Sequence, residues 1–378
     1  VEPPRGQGLV HGHAKERISI KKTRFASLAS VAAAGALALA LAGCGSGGSS
    51  TTTSDGSASA NGSSSYQVSM VTDMGGVNDQ SFNQLTWEGL QELEKETGIK
   101  VGYTESKQES DYATNVDKAV DQGSNLVWGI GFAMDSAIQT AAKQNPDVNF
   151  AIIDNAYDES DLTDNLTGVT FRTQEPSFVV GYIAAMTSET GKVGFVGGMQ
   201  NDIIGTFEWG YRAGVAYANK KAGKNVEVTT QYLETFTDAA KGKAAGQKLY
   251  SDGCDVVFQA AGNAGNGVIE TAQDAGKYVI GVDKDQYSQA PDNILSSALK
   301  RVDKAVIEIS KQASEGEDIG GKNVELGMSD DAAGISEHHE HMSDEVYQAA
   351  QDLIEQIKDG TLTPPSTEDA YNTFVAGL

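Results

Sequence analysis

The chain has 378 residues, 28 of them basic and 52 acidic, for a formal net charge of −24. That balance argues against nucleic acid or anionic lipid as a partner, since both need a basic surface. Two cysteines, Cys44 and Cys254, are too few for a disulfide framework, and about 313 residues from Tyr66 onward suffice for two domains with separate cores.

Residues 1–14 carry no recognisable signal. Lys15, Arg17, Lys21, Lys22 and Arg24 form a basic segment, Phe25 to Leu41 is apolar and Ala-rich, and Leu41-Ala-Gly-Cys44 closes it. This is the layout of a secretory signal. The LAGC tetrapeptide resembles a bacterial lipobox, in which the cysteine becomes the lipidated N-terminus after cleavage. The alternative is a transmembrane helix ending at an ordinary cysteine, but the apolar run is short and rich in Ala, which is marginal for spanning a bilayer. Residues 1–43 are therefore read as a signal with an upstream extension, and Cys44 as the lipidation site. Residues 44–65 are Gly, Ser and Thr-rich and form a tether spanning roughly 25 Å. Without residues 1–43 the chain keeps 22 basic and 50 acidic residues, a charge of −28, and Cys254 as its other thiol.

The body opens on a strand-like run, Tyr66 to Thr72, followed by the loop VTDMGGVNDQSFN ending at Asn83. Gly75 and Gly76 permit a sharp turn, and Asn78, Asp79 and Ser81 are helix N-cap candidates. A helix follows over 84–97. In an open α/β sheet such a loop lies at the carboxyl end of a strand, where ligands bind. It offers the carboxylate of Asp73, the amides of Asn78 and Asn83 and the ring of Phe82, a mix suited to a flat ligand with hydrogen-bonding edges. The same spacing also describes a plain turn and cap with a core Phe.

Strands are expected at 99–104, 125–130, 148–154 and 166–171, with helices at 111–121 and 134–142 between them. The run NLVWGI at 125–130 is apolar throughout, as in a strand buried on both faces of a parallel sheet. A helix at 174–188 follows, then a second alternation: strands at 192–196, 226–232, 255–259 and 278–283, helices at 203–222 and 239–250. A glycine-rich loop over 260–267 precedes a further helix. A strand at 293–298, a helix at 302–315, a polar loop over 316–342 and a helix at 343–358 complete the pattern. Strict alternation implies parallel sheets with right-handed crossovers. The division expected is one lobe at 66–171, a second at 172–285, and 286–378 crossing between them through several hinge strands.

Several segments carry two readings. The acidic stretch 158–164 lacks the spacing and central glycine of a calcium loop and reads as solvated. The segment Ala261-Gly-Asn-Ala-Gly-Asn-Gly267 is not the G-x-G-x-x-G of a dinucleotide loop, so close backbone approach to a small ligand suits it better than phosphate binding. Asp283 ends a buried strand, where it could grip a sugar hydroxyl. Phe236 either packs the lobe or forms the second slice of an aromatic sandwich opposite Phe82. The cluster Glu337-His-His-Glu-His341 sits in a polar stretch without a third partner nearby, which fits an exposed loop better than zinc. No catalytic triad and no HExxH motif appears.

Taken together the segments VTDMGGVNDQSFNQ, WGIGF at 128–132, FAIID at 150–154, GFVGG at 194–198, FEWGYRAG at 207–214, the TFTD block, AGNAGNG, VIGVDKDQ and SALKRVDKAV resemble the basic membrane protein family of bacterial lipoproteins. The resemblance covers most of 66–365. It implies a type I periplasmic-binding fold, two Rossmann-like lobes that close on a ligand by hinge motion. It further implies a purine nucleoside receptor that delivers its cargo to an ABC transporter permease, with no enzyme activity, no cofactor and no metal, acting as a monomer. Phe82 and Phe236 would sandwich the base, with Phe207, more suited to core packing, as the rival for Phe236. Asp73 and Asn78 would meet the polar edges of the base, Asn83 would stand in the same ligand site, and Phe132 would wall the pocket. Asp154, the Gly262 loop, Asp283 and Lys300 would hold the ribose. A sugar or autoinducer receptor is the neighbouring alternative, and a nucleoside hydrolase the alternative of another class.

Overall fold

The structure is a computed structural model that describes residues 65–378. The signal, Cys44 and nearly all of the tether lie outside the described residues. Short apolar runs become strands and the amphipathic segments between them become helices. The first alternation comprises β1 (Gln67–Thr72), α1 (Phe82–Thr97), β2 (Lys100–Thr104), α2 (Tyr112–Asp121), β3 (Leu126–Ile130), α3 (Asp135–Gln144), β4 (Asn149–Ile153) and β5 (Leu166–Phe171). The chain then forms α4 (Gln174–Thr187), β6 (Lys192–Gly197), α5 (Asp202–Lys221), β7 (Glu227–Tyr232), α6 (Ala239–Ser251), β8 (Val256–Ala260), α7 (Gly262–Ala275), β9 (Tyr278–Asp283) and β10 (Ile294–Lys300). It ends with α8 (Val302–Ser314), β11 (Lys322–Leu326), β12 (Ala333–Ile335), α9 (Asp344–Lys358) and α10 (Glu368–Gly377).

Two six-stranded sheets result, in the orders β11-β5-β4-β3-β1-β2 and β12-β10-β9-β8-β6-β7. Every pairing among the described strands is parallel except that of β12 with β10. The inner strands β3 and β8 are buried at every position, as a sheet covered on both faces requires. This is the type I periplasmic-binding architecture.

Two expectations change. The stretch read as a glycine-rich loop at 260–267 is mostly the first turns of α7, and Gly265 and Gly267 in it are packing positions. A Cβ on Gly267 would collide with the Ala239 carbonyl of α6, and one on Gly265 with the Gln259 side chain. The polar stretch 316–342 holds two edge strands, β11 and β12. Their pairing comes from β5 and β10, strands remote in the chain, rather than from their own propensity.

The chain passes between the sheets three times: β5 to α4, β10 to α8, and β11 to β12. The crossings lie side by side. Arg172 N donates to the Leu326 carbonyl at 2.7 Å, and Arg301 N to the Ala332 carbonyl at 2.9 Å. The Arg172 guanidinium binds Glu175 at 2.7 Å and Asp330 at 2.8 Å, while Met328 N donates to Glu175 Oε2 at 2.6 Å. Helix α8 returns to the first sheet, where Ser310 Oγ accepts from Trp128 Nε1 at 3.0 Å. Helix α9 joins the core around Phe178 through Val346, Ala350 and Leu353.

Candidate functional site

The loop before α1 is built around Asp79, 2% exposed. Its Oδ1 accepts from Ser81 N and Gln84 N, each at 3.0 Å, and its Oδ2 from Asn83 N at 2.8 Å and Asn83 Nδ2 at 3.0 Å. Asp79 thus satisfies the free N–H groups that open the helix, a capping role. Asn83 Nδ2 also donates to Asp73 Oδ1 at 2.9 Å, which takes a second bond from Gly75 N at 2.8 Å. A Cβ on Gly75 would stand 2.8 Å from Asn83 Nδ2, so a larger residue there would have to displace the Asn83 amide. Burial pushes the Asp73 carboxyl up to about 6, against the pull of the Gly75 and Asn83 hydrogen bonds.

Asp154 follows β4 and Asp283 ends β9, at corresponding places in the two sheets. Both take left-handed backbone angles, φ +67° and +65°, which non-glycine residues adopt at a cost. Lys300, at the end of β10 and 2% exposed, donates to Asp154 Oδ1 at 2.6 Å. Its Nζ also lies 4.8 Å from the centre of the Phe82 ring and 5.3 Å from that of Phe171. Asp283 Oδ2 accepts from the Ser81 hydroxyl. Burial raises the Asp283 carboxyl to about 6, while Lys300 and Ser81 oppose the shift.

Asp73, Asp79, Phe82, Asn83, Asp154, Asp283 and Lys300 line one cavity of about 290 Å³ at the carboxyl ends of the strands. Of the sequence-predicted residues, Asp73, Phe82, Asn83, Phe132, Asp154, Phe236, Gly262, Asp283 and Lys300 all line it. Asn78 does not. It is exposed, because Asp79 turns inward to cap α1 and its predecessor faces solvent. Asp79 is the lining residue in its place. Phe132 and Phe236 meet edge to face, their centres 6.4 Å apart, and Gly198 leaves the room that the Phe236 ring fills. Phe207, 3% exposed and packed on Phe258, also lines the cavity. Among the described residues Lys300 is the one cationic side chain in the lining.

Ser81, fully buried and bonded to Asp283, is legible in the sequence only as a cap candidate. Among the described residues no group of three or more His, Cys, Asp or Glu side chains is arranged for a metal. His338 and His339 stack instead on Tyr287 and Tyr347, ring centres 3.6 and 4.0 Å apart. Among the described residues no helix is long and apolar enough to cross a membrane.

The family model for ABC transporter substrate-binding proteins like PnrA matches residues 66–368. The CD4+ T-cell-stimulating antigen of Listeria monocytogenes is 39% identical over 324 residues, covering 80% of this chain and 89% of that protein. Basic membrane protein A of Borreliella burgdorferi is 37% identical, covering 83% and 92%. Among solved structures, an ABC transporter solute-binding protein from Aeropyrum pernix K1 aligns with a TM-score of 0.74 at 26% identity, over 82% of this chain and 98% of that one. Two sheets joined by three crossings, a cavity at their strand ends and the match over nearly the whole body agree, and the chain belongs to the PnrA-like, basic membrane protein family of ABC transporter substrate-binding proteins.

Proposed function

We propose that the cavity receives a purine nucleoside and that the chain, anchored outside the cytoplasm through a lipid on Cys44 and acting as a monomer, delivers it to an ABC permease. The observation that carries this reading is the balance of the lining. Its one ammonium among the described residues, Lys300, is held by Asp154, while Asp73 and Asp283 face the same space as the Phe82, Phe132 and Phe236 rings. Such a lining accepts hydrogen bonds from hydroxyl and N–H groups and stacks on a planar base. With its ammonium already paired, it suits a neutral ligand better than a phosphate. Carboxylates that accept hydroxyl bonds discriminate against ligands without the sugar, and aromatic stacking contributes about 1–3 kcal/mol per base.

Titration calorimetry with inosine, guanosine, adenosine, ribose, hypoxanthine and inosine monophosphate tests the reading. Nucleosides should bind. Ribose and the free base should bind at least a hundredfold more weakly, and the monophosphate should not bind. A pentose bound as tightly as a nucleoside would replace this reading with that of a sugar receptor. Free base released on incubation with inosine would replace it with that of a hydrolase.

A further inference from the structure

The loop before α1 is gripped by the opposite lobe along three consecutive residues. Asn266 Nδ2 donates to the Asp79 carbonyl at 3.1 Å. Gln286 Nε2 and Gln289 Nε2 donate to the Gln80 carbonyl at 3.0 and 3.4 Å. Ser81 Oγ donates to Asp283. Lys284 adds an ion pair with Glu88, further along α1, at 2.8 Å. Gln80 holds φ +58°, a left-handed angle unusual for a side chain of its size, and its carbonyl is the acceptor shared by two glutamines.

Gln286 works at both ends of its side chain. It is 1% exposed. Its Oε1 accepts from Val282 N at 3.0 Å and from Gln259 Nε2 at 2.8 Å, and its own N–H reaches Ser297 Oγ at 3.2 Å. That end fixes the strained turn that aims Asp283 into the cavity. The other end, Nε2, crosses the cleft to Gln80. In the closed arrangement this Nε2 has a fixed acceptor in the Gln80 carbonyl, and opening the cleft exchanges that bond for one with water. Neither Gln286 nor Asn266 lines the cavity.

We propose that Gln286, assisted by Asn266, is a positioning residue that latches the 79–81 loop to the second lobe, so that one side chain sets both the closure of the cleft and the presentation of Asp283. The latch acts whichever small molecule fills the cavity. It sets the residence time of the ligand rather than its rate of entry, because its bonds form only after the lobes meet.

The test is Gln286→Glu. The introduced carboxylate keeps an acceptor for Val282 N but sets oxygen against the Gln80 carbonyl. Spin labels at Lys107→Cys and Lys241→Cys, one exposed site on each lobe, report the interlobe distance. Stopped-flow binding of inosine reports the rates. In the variant the ligand-free distance distribution should move to longer values. Inosine should dissociate at least tenfold faster, with an association rate within threefold of the original. At pH 5, where the new carboxyl can take a proton and donate, the difference from the unaltered protein at the same pH should shrink. Asn266→Ala should shift distance and dissociation in the same direction by less. A folded Gln286→Glu protein with unchanged distances and dissociation overturns the latch. Should that variant not fold, unchanged values in Asn266→Ala overturn it. If the unaltered protein does not bind inosine, the nucleoside reading fails and the distance measurement alone decides the latch.

Discussion

Phe82 occupies the first position of α1, where its ring meets both the cavity and the Lys300 ammonium. Phe82→Ala removes a stacking face and should weaken nucleoside binding about fivefold or more by calorimetry, the lower end of the stacking contribution. An unchanged dissociation constant would take Phe82 out of the site. The carboxyls of Asp73 and Asp283 make a second prediction, since burial raises both to about 6. The folded protein keeps these protons up to about pH 6, whereas the unfolded chain loses them near the ordinary 3.8. Their contribution to folding is therefore full below about 3.8 and is lost as pH rises towards 6. A ligand that donates hydroxyls needs the ionised forms. Affinity should rise from pH 5 to pH 7, by up to about tenfold per unit for each carboxyl below 6, and level off above, with protons released on binding near pH 6. A dissociation constant flat from pH 5 to 8 would separate both groups from the ligand. Asp73, Phe82 and Asp283 were legible because each stands at a strand end in a recognisable turn. The choice between Asn78 and Asp79 was not, since adjacent polar residues share every local signal and the tertiary bonds of Asp79 to the start of α1 decide which side chain turns in.

Helix pairs in the second lobe approach through glycine. A Cβ on Gly214 of α5 would collide with the Phe178 carbonyl of α4, as one on Gly267 of α7 would with Ala239 of α6. Backbone cannot move aside as a side-chain tip can, so Gly267→Ala must push α6 away from α7. The cost should be about 1–3 kcal/mol, read as a lower midpoint in urea with an unchanged slope. A midpoint at or above that of the unaltered protein would mean that Gly267 serves something other than helix contact. This is also why 260–267 reads as a loop from sequence: glycine has low helix propensity, and a contact supplied by the preceding helix leaves no local mark. Strands β11 and β12 escaped for a related reason. β11 sits at a sheet edge and alternates buried with exposed positions at Val324, Glu325 and Leu326, while β12 has three residues. The inner strands announce themselves because burial on both faces demands unbroken apolar runs.

At the scale of the whole molecule, the alternation of strands and helices made two parallel-sheet lobes readable, but the return of β11 to the first sheet depends on its pairing with β5, on the far side of the whole second alternation. Charge bears on the membrane anchoring proposed for the chain. A chain with 50 acidic and 22 basic residues after Gly43 is repelled by anionic lipid, and no described helix can span a bilayer. Under the proposed anchoring, attachment comes from the N-terminal segment as a lipid on Cys44, and the rival is an uncleaved apolar stretch at 25–41. The two differ in one experiment. Cys44→Ser abolishes lipidation and leaves the apolar stretch intact. With a lipid anchor, the variant protein moves to the soluble fraction or accumulates uncleaved, and detergent-phase partitioning of a mature, acylated species disappears. With a spanning segment, size and partitioning do not change. Washing membranes with high salt should release neither form of the unaltered protein, because the surface charge has the wrong sign to contribute to binding.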